Sequence, residues 1–159
     1  MSTIRCQCLL PDFFRDDYRK AAEHGFGWAS VQFHLGQLYE EGGGVPQDYT
    51  EAVKWYHMAA QGLGGAAEGV GGFPDAQNNL GLMYLKGQGV PRNYAEAAKW
   101  FRRAGSGISG VASAHHNLGL MYLKGQGVPR DYVTAYMWFA LAAAGCNFVL
   151  LWREVEQEP

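Results

Sequence analysis

The side chains best suited to chemistry in this chain are its histidines and cysteines. His115 and His116 are the only adjacent histidines, and neighbours on a helix point in different directions, so the pair is poorly placed to bind one metal ion. Cys6 and Cys8 have no matching second pair of cysteines, which favours free thiols over a metal site or a disulfide scaffold. We therefore expect no metal and no cofactor, and we expect the histidines to be exposed or to line a groove.

A glycine-rich stretch and several nucleophiles give no stronger signal for catalysis. The letters GLGGAA at 62–67 match the dinucleotide pattern G-x-G-x-x-A, but that motif must follow a strand and open a helix, and here it follows a predicted helix. No serine lies in a G-x-S-x-G elbow, and no base stands near Cys146 in the sequence. Glu40 and Glu41 are expected to be a solvated helix end. These observations favour a protein without enzymatic activity.

Composition narrows the possible classes. The chain has 159 residues, of which 48% are hydrophobic and 18% are charged, which is enough for one domain with a packed core and excludes global disorder. Its formal net charge is −2, with lysine and arginine spread along the chain, so it lacks the basic patch of a nucleic-acid-binding protein. No apolar segment is long enough for a signal peptide or a membrane span. Together with free thiols, this predicts a cytoplasmic protein.

The clearest pattern in the chain is a repeat. The fourteen residues NLGLMYLKGQGVPR occur at 79–92 and again, letter for letter, at 117–130. A leucine-glycine pair, a tyrosine and a tryptophan each recur at intervals of 45 and then 38 residues, and the leucine-glycine pairs are Leu35-Gly36, Leu80-Gly81 and Leu118-Gly119. Periods of this length are typical of solenoid proteins.

Each unit is predicted to form two helices joined by a turn. Ala76, Leu80 and Tyr84 make one apolar stripe at helical spacing, and Gly87 lies where a helix commonly ends in a left-handed residue. The same offset places a glycine at 42 and at 125. The proline of the GVP turn then prevents the helix from continuing through the loop.

The second helix of each unit begins with an N-cap. Asn93 with Glu96 has the spacing of a capping box, and the first unit repeats it. In the third unit Asp131 is predicted to keep the cap, but Thr134 replaces the glutamate, so that box is predicted to be broken. This helix alternates small residues with large aromatics, which allows neighbouring helices to interlock. Because Gly81 inside the first helix costs about 1 kcal/mol relative to alanine, we predict that the aromatic second helix packs closely against it.

The spelling A-x-x-x-L-G-x-x-Y-x-x-G-x-G-V-P-x-D/N-Y-x-x-A-x-x-W closely resembles the Sel1-like repeat, a relative of the tetratricopeptide repeat with a longer turn. The resemblance implies an all-α fold, an α/α right-handed superhelical solenoid of helix-turn-helix repeats, and a role as an adaptor or scaffold. The predicted organisation is a single repeat domain, 1–159, with a partial repeat (second helix only) at 12–25, repeats at 29–62, 76–105 and 114–145, a glycine-rich insertion at 63–75, a short insertion at 106–113, and a C-terminal cap or tail at 146–159.

The junction between the first two repeats departs from the family pattern. It is seven residues longer than the next junction and contains six glycines, a composition typical of flexible linkers. Since a solenoid is held together by contacts between adjacent repeats, this predicts a weakly packed first interface.

By similarity to tetratricopeptide grooves, the first helix of each unit is expected to line a concave partner-binding groove. The positions predicted to be exposed there are Phe33, Gln37, Glu40, Glu41, Asn78, Leu82, Leu85, Lys86, His116, Leu120, Leu123 and Lys124. The groove would be acidic at one end and apolar with lysines at the other, which suits a peptide with a hydrophobic anchor and an acidic residue. The alternative is that its leucines are buried against the next repeat.

The sequence therefore predicts a non-enzymatic interaction scaffold that binds a peptide or protein, with no nucleic acid partner. Two alternatives stay open: a hydrolase-type enzyme, as described for some Sel1-like proteins, and a truncated solenoid that self-associates. Self-association would use the apolar residues of the C-terminal segment, namely Phe148, Leu150, Leu151 and Trp152.

Overall fold

The computed structural model describes residues 29–61, 72–106 and 111–144, and these residues form six α-helices and no strand. The helices are α1 (Ala29–Glu41), α2 (Tyr49–Gln61), α3 (Pro74–Lys86), α4 (Tyr94–Gly105), α5 (Ala112–Lys124) and α6 (Tyr132–Ala144). Each helix packs against its neighbours in chain order, so the predicted all-α solenoid of helix-turn-helix units is confirmed. The predicted partial repeat at 12–25 and the segment at 146–159 lie outside the described residues.

The first helix of each unit ends at a glycine in the left-handed region. Gly42, Gly87 and Gly125 have φ values of 73°, 75° and 68°, and the N–H of Gly87 donates to the carbonyl of Met83. Side chains other than glycine are strained at such φ values. The helix ends predicted from the glycine spacing are therefore confirmed.

The second helix begins with a side-chain cap, as predicted, but only half of the capping box forms. The Asn93 side-chain oxygen accepts the N–H of Glu96 at 3.1 Å. The N–H of Asn93 donates instead to the carbonyl of Tyr84 at 2.9 Å, and the Glu96 carboxylate pairs with Lys99 at 2.5 Å. The second bond of a capping box, from the Asn93 N–H to the Glu96 carboxylate, is absent because that N–H already donates to the carbonyl of Tyr84.

The third unit keeps the same cap and adds a bond from its threonine. The Asp131 carboxylate accepts the N–H groups of Val133 and Thr134, and the Thr134 hydroxyl donates to its second oxygen at 2.6 Å. These bonds, led by the one from the threonine hydroxyl, lower the pKa of Asp131. The prediction is therefore confirmed: Asp131 keeps the N-cap and the box is broken, because the N–H of Asp131 donates to the carbonyl of Tyr122 at 3.0 Å and not to the side chain of Thr134.

Within each unit, an aromatic ring of the second helix lies directly on the glycine of the first. The pairs are Gly36 with Tyr56, Gly81 with Phe101 and Gly119 with Phe139. A Cβ added to Gly81 would lie 2.5 Å from the ring of Phe101, and one added to Gly119 would lie 2.7 Å from the ring of Phe139. The predicted close approach is confirmed, and it explains why glycine stands in the middle of these helices.

Two apolar clusters join neighbouring units, and a smaller one, Leu35 with Trp55, lies inside the first unit. The first cluster joins α2 to α3 through Ala52, Val53, Tyr56, Ala59, Ala60, Ala76, Leu80 and Met83. The second joins α4 to α5 through Ala97, Ala98, Phe101, Ala104, Ala114, Leu118, Met121 and, from the following turn, Val128. Each unit thus buries the apolar side that its neighbour leaves exposed, as expected of a solenoid.

The turns within the second and third units also contact the unit before them, which the sequence does not reveal. Gly89 has a φ of 70° and lies so close to the start of α2 that an added Cβ would be 2.8 Å from the backbone nitrogen of Thr50. Gly127 has the same φ, and a Cβ added to it would be 2.5 Å from the carbonyl oxygen of Tyr94. The second glycine of the GQG turn is therefore an inter-unit contact.

The first interface is packed as well as the second, so the prediction of a weakly packed junction is wrong. The N–H of Phe73 donates to the carbonyl of Ala59 at 3.0 Å, and the Phe73 ring lies 5.0 Å from the ring of Phe33. The Gln77 amide donates to the carbonyl of Ala60 at 3.1 Å in a buried position. These contacts hold the chain where the insertion ends and α3 begins. The composition of the insertion therefore does not determine how the flanking helices pack.

The six helices form two layers. The first helices are neighbours in one layer, where Asn117 of α5 donates to Asn78 of α3 at 3.4 Å. The second helices are neighbours in the other, where the rings of His57 on α2 and Trp100 on α4 lie 5.5 Å apart. One layer of first helices therefore presents a continuous surface assembled from all three units.

Candidate partner-binding face

The twelve residues predicted to line a groove lie on α1, α3 and α5, and we call this surface the first-helix face. In the order of the chain they are Phe33, Gln37, Glu40, Glu41, Asn78, Leu82, Leu85, Lys86, His116, Leu120, Leu123 and Lys124. Their burial increases toward the starts of the helices in the first two units and is least in the third. Partner binding by these residues stays a prediction, and their intramolecular contacts show which of them are available for it.

In the first unit, two of the predicted residues are already engaged inside the protein. The ring of Phe33 lies 5.7 Å from Tyr56 and 5.0 Å from Phe73, so it belongs to the first interface. The Tyr56 hydroxyl donates to the Glu40 carboxylate at 2.5 Å. Glu41 is exposed, and it is the acidic group that this unit presents to a partner.

The Tyr56 hydroxyl is held in a polar site where three helices meet. Burial of the phenol, together with its hydrogen bond to Glu40, raises the pKa of Tyr56 far above its ordinary range, while a hydrogen bond with Asn79 of α3 opposes the shift. The corresponding residues of the other two units are Phe101 and Phe139, and the position of Glu40 is taken there by Leu85 and Leu123. The polar pair of the first unit is therefore replaced by an apolar pair in the others.

In the second unit, the predicted leucines are partly covered by the next repeat. Leu82 and Leu85 are half-buried and pack against the cluster that joins α4 to α5. Asn78 is buried and accepts a hydrogen bond from Asn117. Lys86 is exposed. One side of each leucine therefore packs against the following unit, as the alternative interpretation expects, while the other side remains on the surface.

The third unit presents the most accessible part of the first-helix face. Leu123 exposes 39% of its surface, and Leu120 is half-buried. His116 is exposed, with its ring 5.3 Å from that of Phe139. An open depression of about 510 Å³ adjoins it, lined by Ala112, Ser113, His116, Asn117, Phe139, Ala142 and Ala143.

Charge is distributed unevenly along the face. Lys86 and Lys124 end α3 and α5, and each is followed in its turn by an exposed arginine, Arg92 or Arg130, that lies over a tyrosine ring. At the corresponding positions of the first unit stand Glu41 and Gln47. Two units therefore present paired cations beside exposed leucine surface, and the first presents a carboxylate.

Two amides on this face were missed by the prediction. Asn79 and Asn117 occupy the same repeat position, one residue after Asn78 and His116. Asn79 reaches the Tyr56 hydroxyl and Asn117 reaches Asn78, so both lie where adjacent first helices meet. Their identity in two units is the signal that could have found them. An amide both donates and accepts, which suits it to a peptide backbone.

The prediction that the histidines are exposed or line a groove is wrong for His115. It is 2% exposed, its Nε2 donates to the carbonyl of Gly105 at 3.0 Å, and its ring stacks 5.5 Å from Trp138. Since a carbonyl only accepts, Nε2 carries the proton. The equivalent Gln77 donates to Ala60 in the same manner, so this position is a polar link between units.

His57 is also partly enclosed, between α2 and α4. Burial, and then the positive charge of Arg103, lowers its pKa. Across residues 29–61, 72–106 and 111–144, no group of three or more histidine, cysteine or acidic side chains is arranged to hold a metal ion. In the same residues, no helix has the length and apolar character needed to cross a membrane.

Comparison with known proteins supports the repeat assignment. The family model for the Sel1 repeat matches residues 29–62, 74–107 and 112–145. Among solved structures, a protective antigen present in uropathogenic Escherichia coli strains and displaying an SLR fold is similar at 42% identity, with a TM-score of 0.68, over 82% of this chain and 25% of its own. A Sel1 repeat protein from Oxalobacter formigenes is similar at 32% identity, with a TM-score of 0.65, over 84% of this chain and 52% of its own.

This chain therefore spans about a quarter and about half of the length of those two proteins. No curated protein matches it. The family match covers all three helix pairs and the turns between their helices, and the resemblance drawn from the leucine-glycine, tyrosine and GVP positions is confirmed. The chain belongs to the Sel1 repeat family.

Proposed function

We propose that this protein is a scaffold that holds a peptide or a protein segment on the first-helix face, with the second and third units making the main contacts. Proteins of the Sel1 repeat family generally act as protein-interaction scaffolds. The observation that carries the proposal is the repeated pairing of surface leucine with exposed lysine at Leu85-Lys86 and Leu123-Lys124. Because the two pairs lie on neighbouring helices, one ligand can contact both.

The chemistry of the face favours a partner with an apolar anchor next to an acidic residue. Leu120 and Leu123 offer apolar surface, and Lys124 with Arg130 offers positive charge at the end of the same helix. Surface charges of this kind act mainly on specificity and on the rate of association. An extended peptide could lie across the neighbouring helices α3 and α5 and contact both leucine-lysine pairs.

The test is to reverse the two lysines and measure the affinity of a partner obtained by affinity capture. Lys86→Glu with Lys124→Glu is expected to weaken binding at least about tenfold, since two attractive contacts become repulsive. The matched control is Lys54→Glu with Lys99→Glu, an equal charge change on α2 and α4, the other layer. Unchanged affinity in the first variant, or an equal loss in both, would remove this face as the binding site.

The two alternative functions have less support. A hydrolase requires an acid, a base and a nucleophile that converge, and a hydrolase screen with the purified protein tests this alternative. Self-association through the C-terminal segment would make the sedimentation coefficient rise with protein concentration. We also propose a cytoplasmic location, which rests on the free thiols.

A further inference from the structure

The outer side of α6 is apolar and exposed. Val133, Tyr136 and Met137 leave 79%, 76% and 42% of their surfaces exposed, and Ala140 is exposed beside them. Their spacing of three, four and seven residues puts them on one side of the helix. We call these four residues the α6 stripe. Large apolar groups exposed together mark a surface that something covers.

At the positions of Tyr136 and Met137, α2 and α4 carry residues that are buried or charged. Lys54 and Lys99 stand where α6 has Met137, and both are exposed and paired with a glutamate. Val53 and Ala98 stand where α6 has Tyr136, and both are buried in the clusters made with the following first helix. The sequence of α6 contains no charged residue at all. In α2 and α4, part of this side is buried by the first helix of the next unit. The α6 stripe has the apolar character of a surface that is buried in the same way.

We propose that residues 145–159 of the same chain cover the α6 stripe. This segment continues directly from the end of α6, so its effective concentration at the stripe far exceeds that of a second copy of the protein. Its apolar residues Phe148, Leu151, Trp152 and Val155 are spaced like one face of a helix. In a solenoid each unit is covered by what packs next to it along the chain, and this segment is the part of the chain that follows α6.

The length and charge of the segment fit this placement. It has fifteen residues, and a run back along the thirteen residues of α6 brings its end to the start of that helix. The end is acidic, with Glu154, Glu156 and Glu158. The N-terminus of α6, where a helix favours negative charge, lies at that end. The apolar half of the segment then meets the stripe, and the acidic half meets the N-terminus of α6, which leaves Lys124 and Arg130 to a partner.

Peroxide oxidation of the full-length protein tests the proposal through its methionines. Met137 and Met58 have nearly equal exposure in the described structure, 42% and 38%, so without a cover they should oxidise at similar rates. With the segment on the stripe, Met137 is expected to oxidise at least about fivefold more slowly than Met58, as measured by peptide mass spectrometry. Met83 and Met121 are 1% exposed and report whether the fold is intact.

Two substitutions that add the same charge show whether residues 145–159 cause the protection of Met137. Leu151→Glu lies on the proposed apolar face of the segment and is expected to raise the rate of Met137 to that of Met58. Gln157→Glu lies on its opposite face and is expected to leave Met137 protected. Equal rates of Met58 and Met137 in the unsubstituted protein would overturn the proposal. Protection that appears only as sedimentation shows dimers would overturn it in favour of a second copy.

Discussion

The glycine in the middle of each first helix is a packing residue. Helix propensity alone favours alanine there, yet the rings of Tyr56, Phe101 and Phe139 occupy the space that a side chain would need. The same ring position also varies with its surroundings, since Tyr56 is paired with Glu40 where the other units have phenylalanine opposite leucine. Two predictions belong to this scale, one for the contact and one for the hydroxyl.

Gly81→Ala is expected to destabilise the protein. The added methyl must displace the ring of Phe101, which typically costs about 1–3 kcal/mol, and this outweighs the gain of about 1 kcal/mol in helix propensity. Urea denaturation gives the free energy of unfolding. Combining Gly81→Ala with Phe101→Leu should recover part of the loss, because the smaller side chain leaves room. Higher melting temperatures for both Gly81→Ala and Gly119→Ala would contradict this account.

Tyr56→Phe is expected to make the protein less sensitive to alkaline pH. Because the pKa of Tyr56 is raised in the fold, the folded state holds the phenol proton more tightly than the unfolded chain. The contribution to stability is complete below the ordinary tyrosine pKa of about 10, and it is lost as pH rises above that value. The free energy of unfolding, measured from about pH 9 to about pH 11, should therefore fall less in Tyr56→Phe. Parallel curves would show that the hydroxyl is not linked to folding.

At the scale of the elements, the helices and their ends could be predicted from the sequence, because their causes are local. The stripe through Leu80, the left-handed Gly87 and the cap at Asn93 involve residues within a few positions of one another. The contact between the turn and the preceding unit could not be predicted, because Gly89 packs against Thr50, a residue far away along the chain. The same limit applies to His115, whose exposure depends on how closely the end of α4 approaches.

Gly89→Ala is expected to destabilise the protein more than Gly87→Ala does. Both glycines have a φ near 70° to 75°, so alanine carries a similar backbone strain of about 1–2 kcal/mol at either position. Only at Gly89 does the new Cβ collide with the backbone of the preceding unit, whereas at Gly87 it comes no closer than 3.2 Å, to a side-chain carbon of Arg92. Urea denaturation of the two variants compares these losses. Equal losses would mean that the turn does not contribute to stacking.

At the scale of the whole molecule, the repeat pattern predicts the stacking but not the strength of each interface. The glycine-rich insertion led to the expectation of a loose first junction, since composition describes the connecting chain and not the helices that it joins. The structure holds that junction by Phe73, at the end of the connection, and by Gln77, in the first turn of α3. Candidate groove residues were similarly predicted by position, while the pairing of Glu40 with Tyr56 required coordinates.

Substituting one leucine at each interface tests whether the three units behave as one body. Leu80 and Leu118 are both fully buried, one in each inter-unit cluster, and replacing either by alanine typically costs about 2–5 kcal/mol. Because the clusters are alike in size and in their neighbours, we expect the two losses to agree within about 1 kcal/mol. The helical and aromatic circular dichroism signals should also change together on heating, as for a cooperative repeat array. If the insertion uncoupled the first unit, Leu80→Ala would cost clearly less and the two signals would separate, because the first helix pair would unfold on its own.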